Sequence, residues 1–111
     1  MRLKKGVKSE DVAWQVWYAI GVADATSRTE GCGEVTVTSL RDGSHSPNSR
    51  HYKGEAFDMR TRHMPEEAAK AVYHRLRAVL DPQGFDTVLE SDHIHCEWDP
   101  KAGETLGAEI S

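Results

Sequence analysis

At 111 residues the chain is near the commonest size for one domain and too short for a second full core. Hydrophobic residues at 38% and charged residues at 29% exclude a disordered polymer. A net charge of −4 argues against sequence-independent binding to a polyanion, which needs clustered Lys and Arg to displace counterions, so nucleic acid is not expected as a partner.

In chain order, the first feature is a basic cluster of Arg2, Lys4, Lys5 and Lys8, diluted by Glu10 and Asp11. Residues 1–8 therefore read as a solvated, flexible tail. No apolar run approaches the roughly 20 residues of a membrane helix, and no signal-peptide core follows the basic start. Membrane insertion is not expected, and a cytoplasmic product is. Ser9 can cap a helix with Glu10 and Asp11 in its first turn and Ala13, Val16, Trp17 and Ile20 on one stripe, running to about Thr26. Strand patterns follow at Glu34 to Leu40 and Glu55 to Arg60. The loop between them, Arg41 to Arg50, contains Gly43, Pro47 and Asn48 and is long for a domain of this size, as functional loops tend to be.

A second helix is expected from Pro65, with Ala69, Val72, Tyr73, Leu76 and Val79 at helical spacing before Pro82 and Gly84 stop it. Two further strands, Phe85 to Glu90 and His93 to Trp98, are separated by Ser91 and Asp92 and predict a tight hairpin. The aromatic residues Trp14, Trp17 and Tyr73 lie on the amphipathic stripes and read as core rather than as a stacking platform. Cys32 and Cys96 form no CxxC pair and read as reduced, buried thiols.

The chemistry concentrates in two places. In Ser49-Arg-His-Tyr-Lys-Gly-Glu-Ala-Phe-Asp58, Gly54 permits a turn between a loop histidine, His51, and a strand carboxylate, Asp58. In the last strand, alternation puts His93, His95 and Glu97 on one face and Ile94, Cys96 and Trp98 on the other, apolar one. A catalytic zinc site wants three nitrogen or oxygen ligands and a fourth position left open for the attacking water, and these two segments supply such a set. His45, His63 and His74 lack similar company and read as surface residues.

These residues resemble the zinc D-Ala-D-Ala carboxypeptidase and L-alanyl-D-glutamate endopeptidase family, peptidase family M15, with its hedgehog/DD-peptidase-like fold. The family's Ser-x-His-x-x-Gly-x-Ala-x-Asp stretch is matched by Ser49, His51, Gly54, Ala56 and Asp58. The Asp-x-x-His-x-Glu motif of its phage endolysin branch is matched by Asp92, His95 and Glu97. The resemblance covers about residues 36 to 99. It implies one zinc ion held by His51, Asp58 and His95, Asp92 as catalytic base, and Arg41 as the group touching the substrate carbonyl. Related peptidases with a His-x-His strand use the first histidine near the reacting centre, which makes His93 a second candidate for a catalytic role. Glu90, opposite His93 across the expected turn, is a third.

The expected fold is therefore α+β: a small single domain with a central, mainly antiparallel sheet, two helices on one side and a zinc cleft on the other. The expected activity is metal-assisted amide hydrolysis. By resemblance the substrate is a peptidoglycan stem peptide containing D-amino acids; the sequence leaves the oligomeric state open, with a monomer favoured. A phage-type lysis enzyme released to the cell wall through a separately made pore fits this reading, with targeting supplied by the catalytic unit itself. The rival is a non-catalytic, zinc-containing module that binds a peptide or protein. A closed structural zinc site fits less well, because such sites favour four ligands including cysteine.

Overall fold

Alternation along the strands builds a sheet with one apolar and one polar face. The computed structural model describes residues 1–40 and 55–99. Its elements are β1 (Arg2–Leu3), α1 (Trp14–Thr29), β2 (Thr36–Ser39), β3 (Ala56–Arg60), α2 (Glu66–Leu80), a 3-10 turn (Asp81–Gln83), β4 (Phe85–Leu89) and β5 (His93–Trp98). The five strands form one sheet in the order β1-β2-β3-β5-β4. Only β1 and β2 run parallel; the other three pairs are antiparallel. The result is a small α+β unit with two helices and a mixed, mainly antiparallel sheet.

Val35 and Val37, Phe57 and Met59, Ile94 and Cys96, and Phe85 enter one core with Val16, Ala19, Ile20 and Ala23 of α1 and Val72, Leu76 and Leu80 of α2. Both helices therefore cover the same face. The strand residues of opposite parity, among them Thr38, Asp58, Arg60, His93, His95 and Glu97, are left partly exposed on the other face. Among the described residues no helix is long and apolar enough to cross a membrane.

Several expectations need correction. The N-terminal residues are not all tail: Arg2 N–H donates to the Val35 carbonyl at 2.8 Å and Lys4 N–H to that of Val37 at 2.9 Å, extending the sheet beyond β2. Helix α1 starts at Trp14 rather than after Ser9, with Ala13 extended at its N-cap and no side-chain cap. Asp11 has a φ of 54°, a left-handed conformation that Asp tolerates and that cannot continue a right-handed helix. Trp14, at the helix start, is 72% exposed instead of core, whereas Trp17 and Tyr73 pack at the core margin. In α2 the stripe ends on buried Leu80, and Val79 faces outward. Pro65 is the N-cap of α2, one position before the helical residues, with Glu66 and Glu67 at the positive end of the helix dipole. Cys96 is buried and Cys32 only half-buried; both are free thiols.

The 3-10 turn that follows α2 is capped by Gly84, whose φ of 104° is a left-handed conformation that glycine adopts without a β-carbon clash. Its N–H donates to the Asp81 carbonyl at 3.1 Å, and its own carbonyl accepts from Asp99 N–H at 2.8 Å. A β-carbon at this position would stand 3.1 Å from Trp98 Cζ3. Gly84→Ala should thus combine backbone strain with a tight ring contact and destabilise the fold by about 1–3 kcal/mol. Urea unfolding of the variant against the parent checks this, and an unchanged midpoint would refute it.

Candidate functional site

The polar face of the sheet is organised by the pairing of β3 with β5. Asp58 stands opposite His95, Arg60 opposite His93 and Ala56 opposite Glu97. Residues two apart in a strand share a face, so this register alone gathers Asp58, His93, His95 and Glu97 on one surface. On the neighbouring strand the register shifts between Val37 and Ser39, which brings Ser39 opposite Asp58. Thr38 Oγ1 lies 3.5 Å from the Asp58 carbonyl it donates to.

A close contact on this face joins two expected ligands. Asp58 Oδ1 and His95 Nδ1 are 2.8 Å apart, and His95 Nε2 is 3.4 Å from Glu97 Oε1. Both partners are partly buried, with 14% of the Asp58 and 22% of the His95 side chain exposed. The hydrogen bond to Asp58 raises the His95 pKa above the ordinary imidazole value; burial opposes this, and the charges of Asp58 and Glu97 add to it.

This shift gives a pH dependence of known sign. A group with a raised folded-state pKa stabilises the fold fully below its unfolded value, about 6.5, and loses that contribution as pH rises through the folded value. In metal-free protein, the stability advantage of the parent over His95→Gln should therefore shrink between about pH 6 and about pH 9. Urea titrations at both pH values test it; an advantage that grows with pH would refute the assignment.

The fit to a metal ion can be examined from the donors present. Donor atoms around one tetrahedral zinc are about 3.3 Å apart, given bonds of roughly 2.0 Å. Asp58 Oδ1 and His95 Nδ1 would need to part by only about half an ångström to share an ion. A carboxylate and an imidazole on a partly open face suit a catalytic zinc, and two of the three expected ligands are thus adjacent. The third, His51, and the expected carbonyl-binding Arg41 lie outside the described residues. Among the described residues, no three His, Cys, Asp or Glu side chains form a group that could hold an ion. Cys96 is no ligand candidate: it points into the core, and burial pushes its thiol up to about 12.

Of the three candidates for the base, two lie together and the third apart. Asp92 Oδ1 is 2.7 Å from His93 Nδ1, and that hydrogen bond holds the Asp92 carboxyl below the usual carboxylate range. Asp92, His93 and Asp58 all line one depression of about 210 Å³ beside the Asp58–His95 pair. Glu90 does stand opposite His93, donating its N–H to the His93 carbonyl at 2.8 Å. Glu90, however, lines a different groove, with Thr61, Met64 and Lys70. His63 and His74 are exposed, as expected, and His45 lies outside the described residues.

Three cationic side chains that the sequence pattern does not single out also line the depression: Lys4, Arg60 and Arg62. The parity of Arg60 with Asp58 was the available signal. Lys4 gave none, because nothing in the first residues announces a strand. No family model, no curated protein and no solved structure matches this chain.

Proposed function

We propose that this protein is a zinc metallopeptidase that hydrolyses an amide bond in peptidoglycan stem peptides containing D-amino acids. The observation that carries the reading is the in-register pair Asp58–His95 on the open face of the sheet, with Asp92 and His93 joined beside it. The substrate class rests on the resemblance of Ser49 to Asp58 and of Asp92 to Glu97 to peptidase family M15.

Asp58 and His95, with His51, would hold the ion. Bound there, it would activate water at neutral pH and polarise the attacked carbonyl. Asp92, ionised at neutral pH, would accept the proton of the attacking water. His93 is tied through Nδ1 to Asp92, which orients its ring; with both ring nitrogens protonated, Nε2 would give its proton to the leaving amine, and the proton that Asp92 takes from the water would restore the imidazolium. Arg41 would offer positive charge to the developing oxyanion.

The test is to incubate the purified chain with defined muropeptides, with and without chelator, and to identify products by mass. Cleavage that stops on chelation and returns with zinc supports the reading. Cleavage that persists without metal refutes it, and zinc binding without any cleavage would favour the peptide-binding module instead.

A further inference from the structure

On the helix side of the sheet, away from the Asp58–His95 pair, a groove of about 360 Å³ is lined by Trp14, Gln15, Tyr18, Gln83, Phe85 and Trp98. Its floor is fixed by the β4–β5 pairing. Phe85 stands opposite Trp98, with ring centroids 4.9 Å apart and edge to face, and the Trp98 ring lies over Gly84. Its wall is Trp14 and Tyr18, one turn apart on α1, which remain 72% and 42% exposed. Two carboxamides complete the lining. Gln83 Nε2 donates to the Val79 carbonyl at 2.9 Å, which orients that amide and keeps Oε1 as an acceptor. Among the described residues no charged side chain lines the groove, in a chain of which 29% of the residues are charged. The adjoining depression, which shares Phe85, carries Asp81, Asp86 and Asp99 against Arg77 and His74.

We infer that this groove binds a neutral, N-acetylated glycan strand, with a pyranose ring stacked on Trp14 and the sugar's acetamide and hydroxyl groups bonded to Gln15 and Gln83. A pyranose has an apolar C–H face and a polar edge that both donates and accepts. An exposed aromatic ring suits the face, and a carboxamide, donor and acceptor at once, suits the edge. A purely apolar ligand would bury the two amides unpaired, which costs binding. A charged ligand would find no counter-charge, and the neighbouring carboxylates repel an anion. An anionic lipid surface would need lysines and arginines around the aromatic rings. A second copy of the chain would need roughly 20–30 residues a side for a stable interface, against the six of this groove. The choice of an N-acetylated sugar rests on the peptidase reading, because stem peptides are attached to a strand of N-acetylated pyranoses. Trp98 lies three residues along β5 from His95, about 10 Å. A strand held in the groove would therefore keep its attached peptides concentrated around the proposed metal site.

The test titrates the full chain, with chelator present, with N-acetylated chitotetraose and with cellotetraose, which lacks the acetamides, and follows binding by calorimetry. The N-acetylated sugar should bind saturably and more tightly than cellotetraose. Trp14→Ala should weaken it by about 3- to 10-fold, the range for loss of one aromatic stack, and Gln83→Ala should weaken it by a smaller factor. Trp14 is too exposed to support the core, but should Trp14→Ala lose its native circular dichroism spectrum, Tyr18→Ala and Gln83→Ala carry the test. Several results would overturn the groove: no saturable binding at millimolar sugar, equal or tighter binding of cellotetraose, or binding that survives every substitution. So would a Trp14-dependent dimer in sedimentation, or Trp14-dependent binding to phosphatidylglycerol vesicles by a chain that ignores the sugar. Sugar binding by a chain that cuts no muropeptide would sink the peptidase reading and leave the glycan groove standing. Metal-dependent hydrolysis by a chain that binds no sugar would do the reverse.

Discussion

Substituting His95 by alanine is expected to abolish zinc binding and to reduce chelator-sensitive hydrolysis by about three orders of magnitude or more. His95 projects from the polar face of β5, while its neighbours Ile94 and Cys96 project into the core. The substitution thus removes a proposed ligand without opening a cavity under the helices, and the circular dichroism spectrum should stay native. Asp58→Ala should give the same phenotype, because the two side chains meet at 2.8 Å and face one ion in the proposed site. The double variant should be scarcely worse than either single one, since groups acting as one unit are not additive. Metal content by elemental analysis, read beside turnover, decides the matter: a folded His95→Ala protein that still cuts its peptide would remove the zinc mechanism.

How far the sequence could foretell this arrangement depended on what each signal reports. Strand alternation reports a face, and it placed four of the strands to within two residues at each end. It also separated His93, His95 and Glu97 from Ile94, Cys96 and Trp98, because burial on one side of a sheet enforces a period of two. β1 escaped, since two residues are too few to show a period and the surrounding lysines look like a solvated segment. The start of α1 escaped for another reason. Ser9, Glu10 and Asp11 satisfy the chemistry of a helix start, but Val12 and Ala13 already pack against the core in a non-helical segment, and tertiary contact outweighs the cap.

The site was legible in the same uneven way. Asp58 and His95 are 37 residues apart in sequence, and no local rule brings them together. Their convergence is a matter of which strands neighbour each other, and β5 inserting between β3 and β4 is a topological fact that periodicity does not encode. The motif resemblance pointed to the pair because it carries such topology implicitly. It said nothing of Arg60, Arg62 and Lys4, which owe their common position to the sheet order β1-β2-β3-β5 and to the hairpin that brings Asp92 beside Thr61.

Asp92→Ala should keep one zinc per chain while lowering kcat by about 10²- to 10⁴-fold, the usual contribution of a general base. Asp92 lies in the β4–β5 turn with 64% of its side chain exposed, and its structural bond to Thr61 uses the backbone carbonyl, which alanine retains. Stability should therefore change little, so a loss of turnover reports on chemistry. The substitution also releases His93 Nδ1 from its 2.7 Å partner, leaving the ring free to reorient. His93→Ala separates the two effects: if Asp92 is the base, it should be the less damaging change, because Asp92 remains ionised and in place. Equal losses in both variants and in the double variant would mean that the two residues act as one proton-transfer unit. Full activity in Asp92→Ala would instead move the base to His93, and full activity in both single variants would move it to Glu90, which lines the groove beside Met64 and Lys70.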